Sequence, residues 1–254
     1  MRIGLAGYGQ MGAMIRQAAL KKGHNVPVIV DPHSGAEEVT ARELTSASLP
    51  LDVIIDFTEP QVVVENIERY GRLGLAAVIG TTGWYDRFDR VDAVVEKSGI
   101  GLIWSGNFSL GVNLFFYLVK HAGKIMNRFP RYDALVHEYH HRRKADSPSG
   151  TAQMLGDILI KYLDRKSQTV TAGLDRRIKE NELHISSTRG GSIPGTHRVV
   201  FDSDEDTIIL EHSARSRAGF AEGAVLAAEW IRGRKGLYSI DDMMHSLIGG
   251  EENR

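Results

Sequence analysis

Residues 137–151 hold the densest set of side chains able to do chemistry: His137, Glu138, His140, His141, Lys144, Asp146, Ser149, Gly150 and Thr151. Two chemistries compete for them. His137, Glu138 and His141 fit H-E-x-x-H, a zinc-peptidase pattern. It works only on a helix, where histidines at i and i+4 sit about 6 Å apart on one face. On a strand the same pair is about 13 Å apart and shares no ion. Residues 132–137 alternate as a strand does, and Arg142, Arg143 and Lys144 make a poor setting for a cation. No third ligand follows, so no metal is expected. The second chemistry is anion binding. Pro148 and Ser149 lead into a helical pattern, where Gly150 and Thr151 can turn free N–H groups toward a carboxylate. Lys144, His140 and His141 add positive charge or protons. A small dicarboxylate would suit the set. The plain alternative is a solvated basic loop with an ordinary Ser/Thr cap.

A second cluster is glycine-based. Gly7, Tyr8, Gly9, Gln10, Met11 and Gly12 spell G-x-G-x-x-G, preceded by the apolar run 3–6 and followed by a helical pattern in Met11, Met14, Ile15 and Ala18. In that context the first glycine permits a tight turn and the second lets backbone approach a pyrophosphate. The third lets helix and strand pack closely, while the helix N-terminus offers N–H groups to phosphate. Asp31 stands 19 residues after Gly12 at the end of the next strand-like run, where an acid can accept ribose hydroxyls. The alternative is a structural turn that binds no nucleotide. Two further loops belong to the same edge: Gly80, Thr81 and Thr82 with Gly83, then Ser105, Gly106, Asn107 and Phe108. Small hydroxylated residues let a flat ring come close to backbone, and Phe108 is a candidate to stack on it. Tight turns and a core phenylalanine would explain these loops equally well.

The elements that must position these residues alternate in the first half. Residues 3–6, 26–30, 51–57, 76–79 and 101–104 read as buried strands. Helical periodicity falls between them, as in Val63, Val64, Ile67 and Tyr70, then in Phe88, Val91, Val94 and Val95. This predicts an α/β fold, a doubly wound parallel sheet of Rossmann type. Near residues 108–111 the character changes. A long helical pattern over 110–129 is followed by a strand at 132–139, a helix at 151–163 and three strand-like runs over 183–212. Helices close the chain at 221–231 and 240–247. Consecutive strands predict a second α+β domain on an open mixed sheet.

Composition limits the alternatives. Lys+Arg is 31 against Asp+Glu 32, so no global basic field draws nucleic acid or an anionic membrane. The absence of cysteine excludes disulfides, thiol nucleophiles and thiolate metal sites. No secretory leader or long apolar run is recognisable, so a cytoplasmic protein is expected.

The segment Glu138, His140, His141, Lys144, Asp146, Pro148, Ser149, Gly150, Thr151 resembles the signature E-x-H-H-x-x-K-x-D-x-P-S-G-T of the dihydrodipicolinate reductase family. Further blocks are similar in order: Asp56-Phe57-Thr58 with Pro60, the 80–83 loop, Asn107-Phe108-Ser109 with Gly111 and Asn113, Arg189-Gly190-Gly191 with Gly195 and His197, and Arg217 with Phe220 and Gly223. The resemblance implies a homotetrameric NADH- or NADPH-dependent reductase of a small cyclic dicarboxylate in diaminopimelate and lysine synthesis. It implies a dinucleotide-binding domain over 1–109 plus 219–254 and a substrate and oligomerisation domain over 110–218. His140 matches the catalytic histidine and Lys144 the second proton donor. His141, Gly150 and Thr151, with Ser149 and Thr82 beside them, match the substrate set. Residues 7–12, Asp31, the 80–82 loop and residues 105–108 match the cofactor set. The bound carboxylates would keep the nearby His and Lys protonated. One departure bears on the cofactor: Pro32 and His33 follow Asp31 where relatives carry an arginine for the 2′-phosphate, so NADH is expected to serve at least as well. Rival readings are another two-domain nicotinamide oxidoreductase, such as a homoserine dehydrogenase-like enzyme, and a silent nucleotide sensor. His140 and Lys144 together argue against both.

Overall fold

The computed structural model describes residues 1–46 and 50–249. The chain divides into two compact units, Met1–Leu110 with Ala218–Arg254, and Gly111–Arg217.

The first unit begins β1 (Arg2–Ala6), α1 (Gln10–Lys21), β2 (Asn25–Val30), β3 (Val53–Asp56), α2 (Val63–Leu73), β4 (Ala76–Ile79), α3 (Phe88–Ser98) and β5 (Gly101–Trp104). The second unit holds α4 (Leu110–Met126, whose first residue belongs to the first unit), β6 (Asp133–His140), α5 (Gly150–Tyr162), β7 (Gln168–Val170), β8 (Glu182–Arg189), β9 (Thr196–Asp202) and β10 (Thr207–Ser213). The chain then returns to the first unit through α6 (Ala218–Ile231), β11 (Gly236–Ser239) and α7 (Ile240–Ile248).

The first sheet runs β11-β5-β4-β3-β1-β2 and is parallel throughout. Its central strands are apolar on both faces, as a parallel sheet covered on both sides requires. Ile3, Leu5, Val53, Ile55, Val78 and Ile103 pack with α1, α6 and α7. Ile54, Ala77, Ile79 and Leu102 pack with α2 and α3 on the other face. Each fully buried Val, Ile or Leu contributes about 1.5–3 kcal/mol. Strand order reverses between β1 and β3, and the crevice at such a switch point is where open α/β sheets take ligands. β11 extends this sheet next to β5; four residues opened by a glycine carry too little periodicity to be read from the sequence.

The second sheet runs β10-β9-β6-β8-β7 and is mixed: β9 pairs antiparallel with β6 and β10, while β8 pairs parallel with β6 and β7. One face packs Val136, Leu183, Ile185, Val199 and Phe201 with Val112, Phe115 and Val119 of α4 and Ala152, Leu155 and Leu159 of α5. The three-residue polar β7 was likewise silent in the sequence.

Candidate active site

In the first unit the candidate cofactor residues gather on the loops leaving the carboxyl ends of the strands. Gly7 has φ +86°, and a Cβ there would strike the Phe57 carbonyl. A Cβ on Gly12 would strike the carbonyl of Gly7, whereas one on Gly9 would meet nothing within 4 Å. The outer glycines therefore close the turn, and the middle one leaves its outer side open for a phosphate to approach backbone. Tyr8, Gln10 and Met11 complete the loop, and the Tyr8 N–H donates to Asp31 Oδ2 at 2.8 Å. Asp31 Oδ1 accepts from the His33 and Ser34 N–H groups, each at 2.8 Å. Burial raises the Asp31 carboxyl, but these three backbone donors outweigh it and hold it below the usual value. Arg42, not singled out in the sequence, lies beside this turn with Nη1 2.5 Å from the Pro32 carbonyl.

The loop after β4 is held from below. Asp56, fully buried, accepts from the Tyr70 hydroxyl at 2.6 Å, Thr58 Oγ1 at 2.6 Å, Asn66 Nδ2 at 3.1 Å and Thr81 Oγ1 at 3.2 Å. Trp84 Nε1 donates to the Thr81 carbonyl at 2.8 Å. Thr81 is thus a buried anchor, while Gly83 and Thr82 are exposed. Gly106, also exposed, lies against the Thr82 methyl and the Tyr85 hydroxyl, so the loops after β4 and β5 meet there. Ser105 Oγ and the backbone of Asn107 close their loop at 2.9 Å. Phe108 differs from the stacking expectation: its ring is 2% exposed, packed in the core near Phe57. Alternation off the strand end turned it inward, which leaves only its backbone for a ligand.

In the second unit β6 places Ala134, Val136, Glu138 and His140 on its buried face. Registry then sorts the sheet into rows. Ile185, Val136, Val199 and Leu210 form an apolar row across β8, β6, β9 and β10; Ser187, Glu138, His197 and His212 form the next. The face changes from apolar to polar within two residues, at the end where the signature segment leaves β6. His137 points to the opposite face, so the H-E-x-x-H side chains do not converge. Glu138, His140 and His197 do bring ligand atoms within 4.8 Å of one another. The Glu138 carboxylate, however, is already engaged by Ser149, Ser187 and the guanidinium of Arg189, whose charge opposes a cation at that distance.

Burial raises the Glu138 carboxyl, yet hydrogen bonds from His197, Ser149 and Arg189 outweigh it and hold it far below the usual carboxylate range. His140 goes the other way. Burial pushes it down to about 4, with the Glu138 charge only partly opposing and His197, Lys144 and Arg189 adding to the fall. The protein's own groups therefore keep His140 neutral at pH 7, where the sequence suggested an imidazolium. Lys144 is half-buried with Nζ 2.7 Å from Asp146 Oδ1, and its N–H closes a turn on the His141 carbonyl at 3.1 Å. Ser149 is the N-cap of α5 and accepts from the Ala152 N–H at 3.2 Å. Its hydroxyl is buried against Glu138 and His197, so its side chain faces inward. Gly150 is exposed, and a Cβ there would meet open space. Gly150 and Thr151 are the helix-start residues left to meet an anion.

Asp56, Glu138, Arg189 and His197 were missed as site residues. The available signal was an acidic residue on the inward face of a strand: such a group is buried only with partners.

A parallel sheet whose first turn suits a dinucleotide, in one chain with a unit that suits a small anion, defines a class: two-unit nicotinamide-dependent oxidoreductases. Comparison narrows it. Residues 1–108 match the family model for the dihydrodipicolinate reductase N-terminus, and residues 111–244 match that for its C-terminus. A 4-hydroxy-tetrahydrodipicolinate reductase of Christiangramia forsetii is 34% identical over 98% of this chain and 99% of its own length. One from Caulobacter vibrioides is 37% identical over 96% of this chain and 97% of its own. Among solved structures, the dipicolinate-bound dihydrodipicolinate reductase of Paenisporosarcina sp. TG-14 has a TM-score of 0.76 at 22% identity, covering 94% of this chain and 97% of its own. The chain belongs to the dihydrodipicolinate reductase family. Among the described residues, no helix is long and apolar enough to cross a membrane.

Proposed function

We propose that the chain reduces the cyclic dicarboxylate 4-hydroxy-tetrahydrodipicolinate, by way of dihydrodipicolinate, to tetrahydrodipicolinate with NADH or NADPH. The observation that carries this is the pairing, in one family member, of an open Gly9 turn with the basic segment from His140 to Thr151. When bound, the nicotinamide supplies a hydride to C4 of the substrate ring. Residues 7–12 and Asp31 hold the adenosine and pyrophosphate end. Gly80, Thr81, Thr82, Ser105, Gly106, Asn107 and the Phe108 backbone form the wall against the nicotinamide. Free N–H groups at Gly150 and Thr151 take one carboxylate, as helix N-termini do, and His141 adds a donor. Ser149 serves by capping the helix from within.

Hydride addition to a conjugated C=C–C=N system leaves an electron pair on the far carbon, which must gain a proton. The Lys144 ammonium, freed from Asp146, offsets that charge and donates the proton. His140 begins neutral; a dianionic ligand raises its proton affinity and lets it share the transfer. From the 4-hydroxy compound, water leaves to give the conjugated dihydrodipicolinate, and one hydride and one proton then add across its C=C bond. The homotetramer is part of the same reading; Leu135 and Ile209, 39% and 53% exposed on the outward face of the second sheet, offer another copy an apolar contact.

The test is oxidation of NADH and NADPH followed by absorbance, with substrate generated in situ by a synthase from pyruvate and aspartate semialdehyde. Oxidation that depends on the synthase product is expected. Nucleotide binding without oxidation would overturn the reading.

A further inference from the structure

One buried carboxylate in the second unit is tied to both halves of the proposed substrate site, yet the chemistry above leaves it unused. Glu138 is 0% exposed. Its Oε1 accepts from the Ser149 N–H at 2.9 Å, Ser187 Oγ at 2.8 Å and Arg189 Nη2 at 2.7 Å. Its Oε2 accepts from the Ser149 hydroxyl and lies 3.1 Å from His140 Nδ1 and 3.5 Å from His197 Nε2. A buried ion pair is a poor way to stabilise a sheet, because desolvation offsets most of the attraction and apolar side chains do as well. The rows just below Glu138 are apolar and show that choice in the same sheet. What the carboxylate supplies instead is direction.

Two functional elements take their orientation from it. Ser149 is held at both its N–H and its hydroxyl, and Ser149 caps α5, so the aim of the Gly150 and Thr151 N–H groups follows from Glu138. The imidazole of His140 sits between two neighbours. Nδ1 lies 3.1 Å from Glu138 Oε2 but out of line for a hydrogen bond, while Nε2 lies toward Gly195, where a Cβ would stand 2.9 Å away. Gly195 has φ +153°, a backbone setting that favours glycine, and the missing side chain leaves the ring its seat. His197 meets the ring edge-on at 5.1 Å between centroids. A negative oxygen at 3.1 Å disfavours a lone pair on Nδ1 by charge alone, which favours the neutral tautomer with its proton on Nδ1 and its lone pair on Nε2.

Building on the proposed function, we infer that Glu138 is a positioning residue for the reduction: it sets the tautomer of His140 and, through Ser149, the aim of the α5 N-terminus at the substrate carboxylate. Arg189, Ser187 and His197 keep the carboxylate in place.

The experiment compares wild type with Glu138→Gln, which keeps the shape and removes the charge, in turnover, substrate KM, NADH Kd and the ¹⁵N spectrum of labelled histidine. Expected in wild type is His140 in the Nδ1–H form. Expected in the variant is loss of that form, a fall in kcat of about 100-fold, a higher substrate KM, and NADH affinity within about twofold of wild type. A variant with near-wild-type kcat overturns the proposal, and so does an Nε2–H tautomer in wild type. If the variant shows no cooperative thermal transition, the wild-type tautomer decides. A wild type that oxidises no NADH with the synthase product counts against the function, while its tautomer still tests the role of Glu138.

Discussion

A buried imidazole and a half-exposed ammonium answer a dianionic ligand differently, and this separates His140 from Lys144. In the proposed reaction His140, held neutral by burial, would be recharged by substrate, whereas Lys144 would have only to leave Asp146. Lys144→Ala and His140→Ala should each lower kcat by about 10²–10⁴-fold. Both lie in the second unit, so NADH affinity, read by fluorescence titration, should stay near wild type. The same buried pair makes acid stability a residue-level property. Glu138 and His140 both have depressed folded-state values. Each therefore contributes stability that is fully present above its unfolded value, near 4.5 for Glu and 6.5 for His, and is lost as pH falls. Tm should be nearly level above about pH 6.5 and decline steadily toward pH 4, with a shallower decline in His140→Asn. A Tm that rises on acidification would contradict this assignment. Arg42 belongs to the same scale. Its guanidinium stands by the Asp31 turn, the place from which a cation reaches a 2′-phosphate. Arg42→Ala should raise KM for NADPH more than KM for NADH.

At the scale of elements, both proposed ligand sites are helix starts whose surroundings leave N–H groups free. At α1 this depends on glycine. Gly12→Ala drives a methyl into the Gly7 carbonyl and should cost about 1–3 kcal/mol, along with most of the NADH affinity, read together by thermal shift and titration. At α5 it depends on Ser149. Ser149→Ala removes a cap, worth about 1 kcal/mol, and also strips the hydroxyl contact from a buried carboxylate while keeping the backbone one. Its effect should fall on substrate KM and leave KM for NADH unchanged. The two sheets differ in how their strands could be read. The parallel one announced itself through continuous apolar runs bounded by glycine loops. In the mixed one, alternation revealed β6, β8, β9 and β10. The exceptions, β7 and β11, are edge strands that take their conformation from the neighbour they pair with, a cause absent from three or four residues read alone.

For the whole molecule, the apolar row Leu135, Val200 and Ile209 on the otherwise polar outward face of the second sheet carries a direct test. Ile209→Glu places a charge in the row with Val200 and Leu135; light scattering should show four copies for wild type and fewer for the variant. Two-unit organisation, the G-x-G-x-x-G turn and the proposed anion-binding segment were legible along the chain because each is a local pattern: a period, a glycine spacing, a charged run beside a helix start. The family signature added the roles of His140 and Lys144. Glu138, His197 and Arg189 were not legible as one cluster, since they come from three strands and meet only through the register of β6 with β8 and β9. Nor was the inward turn of Phe108, or a His140 made neutral by burial. Local order follows from neighbours in sequence, whereas desolvation and cross-strand pairing depend on which distant residues the closed sheet brings within a few ångströms.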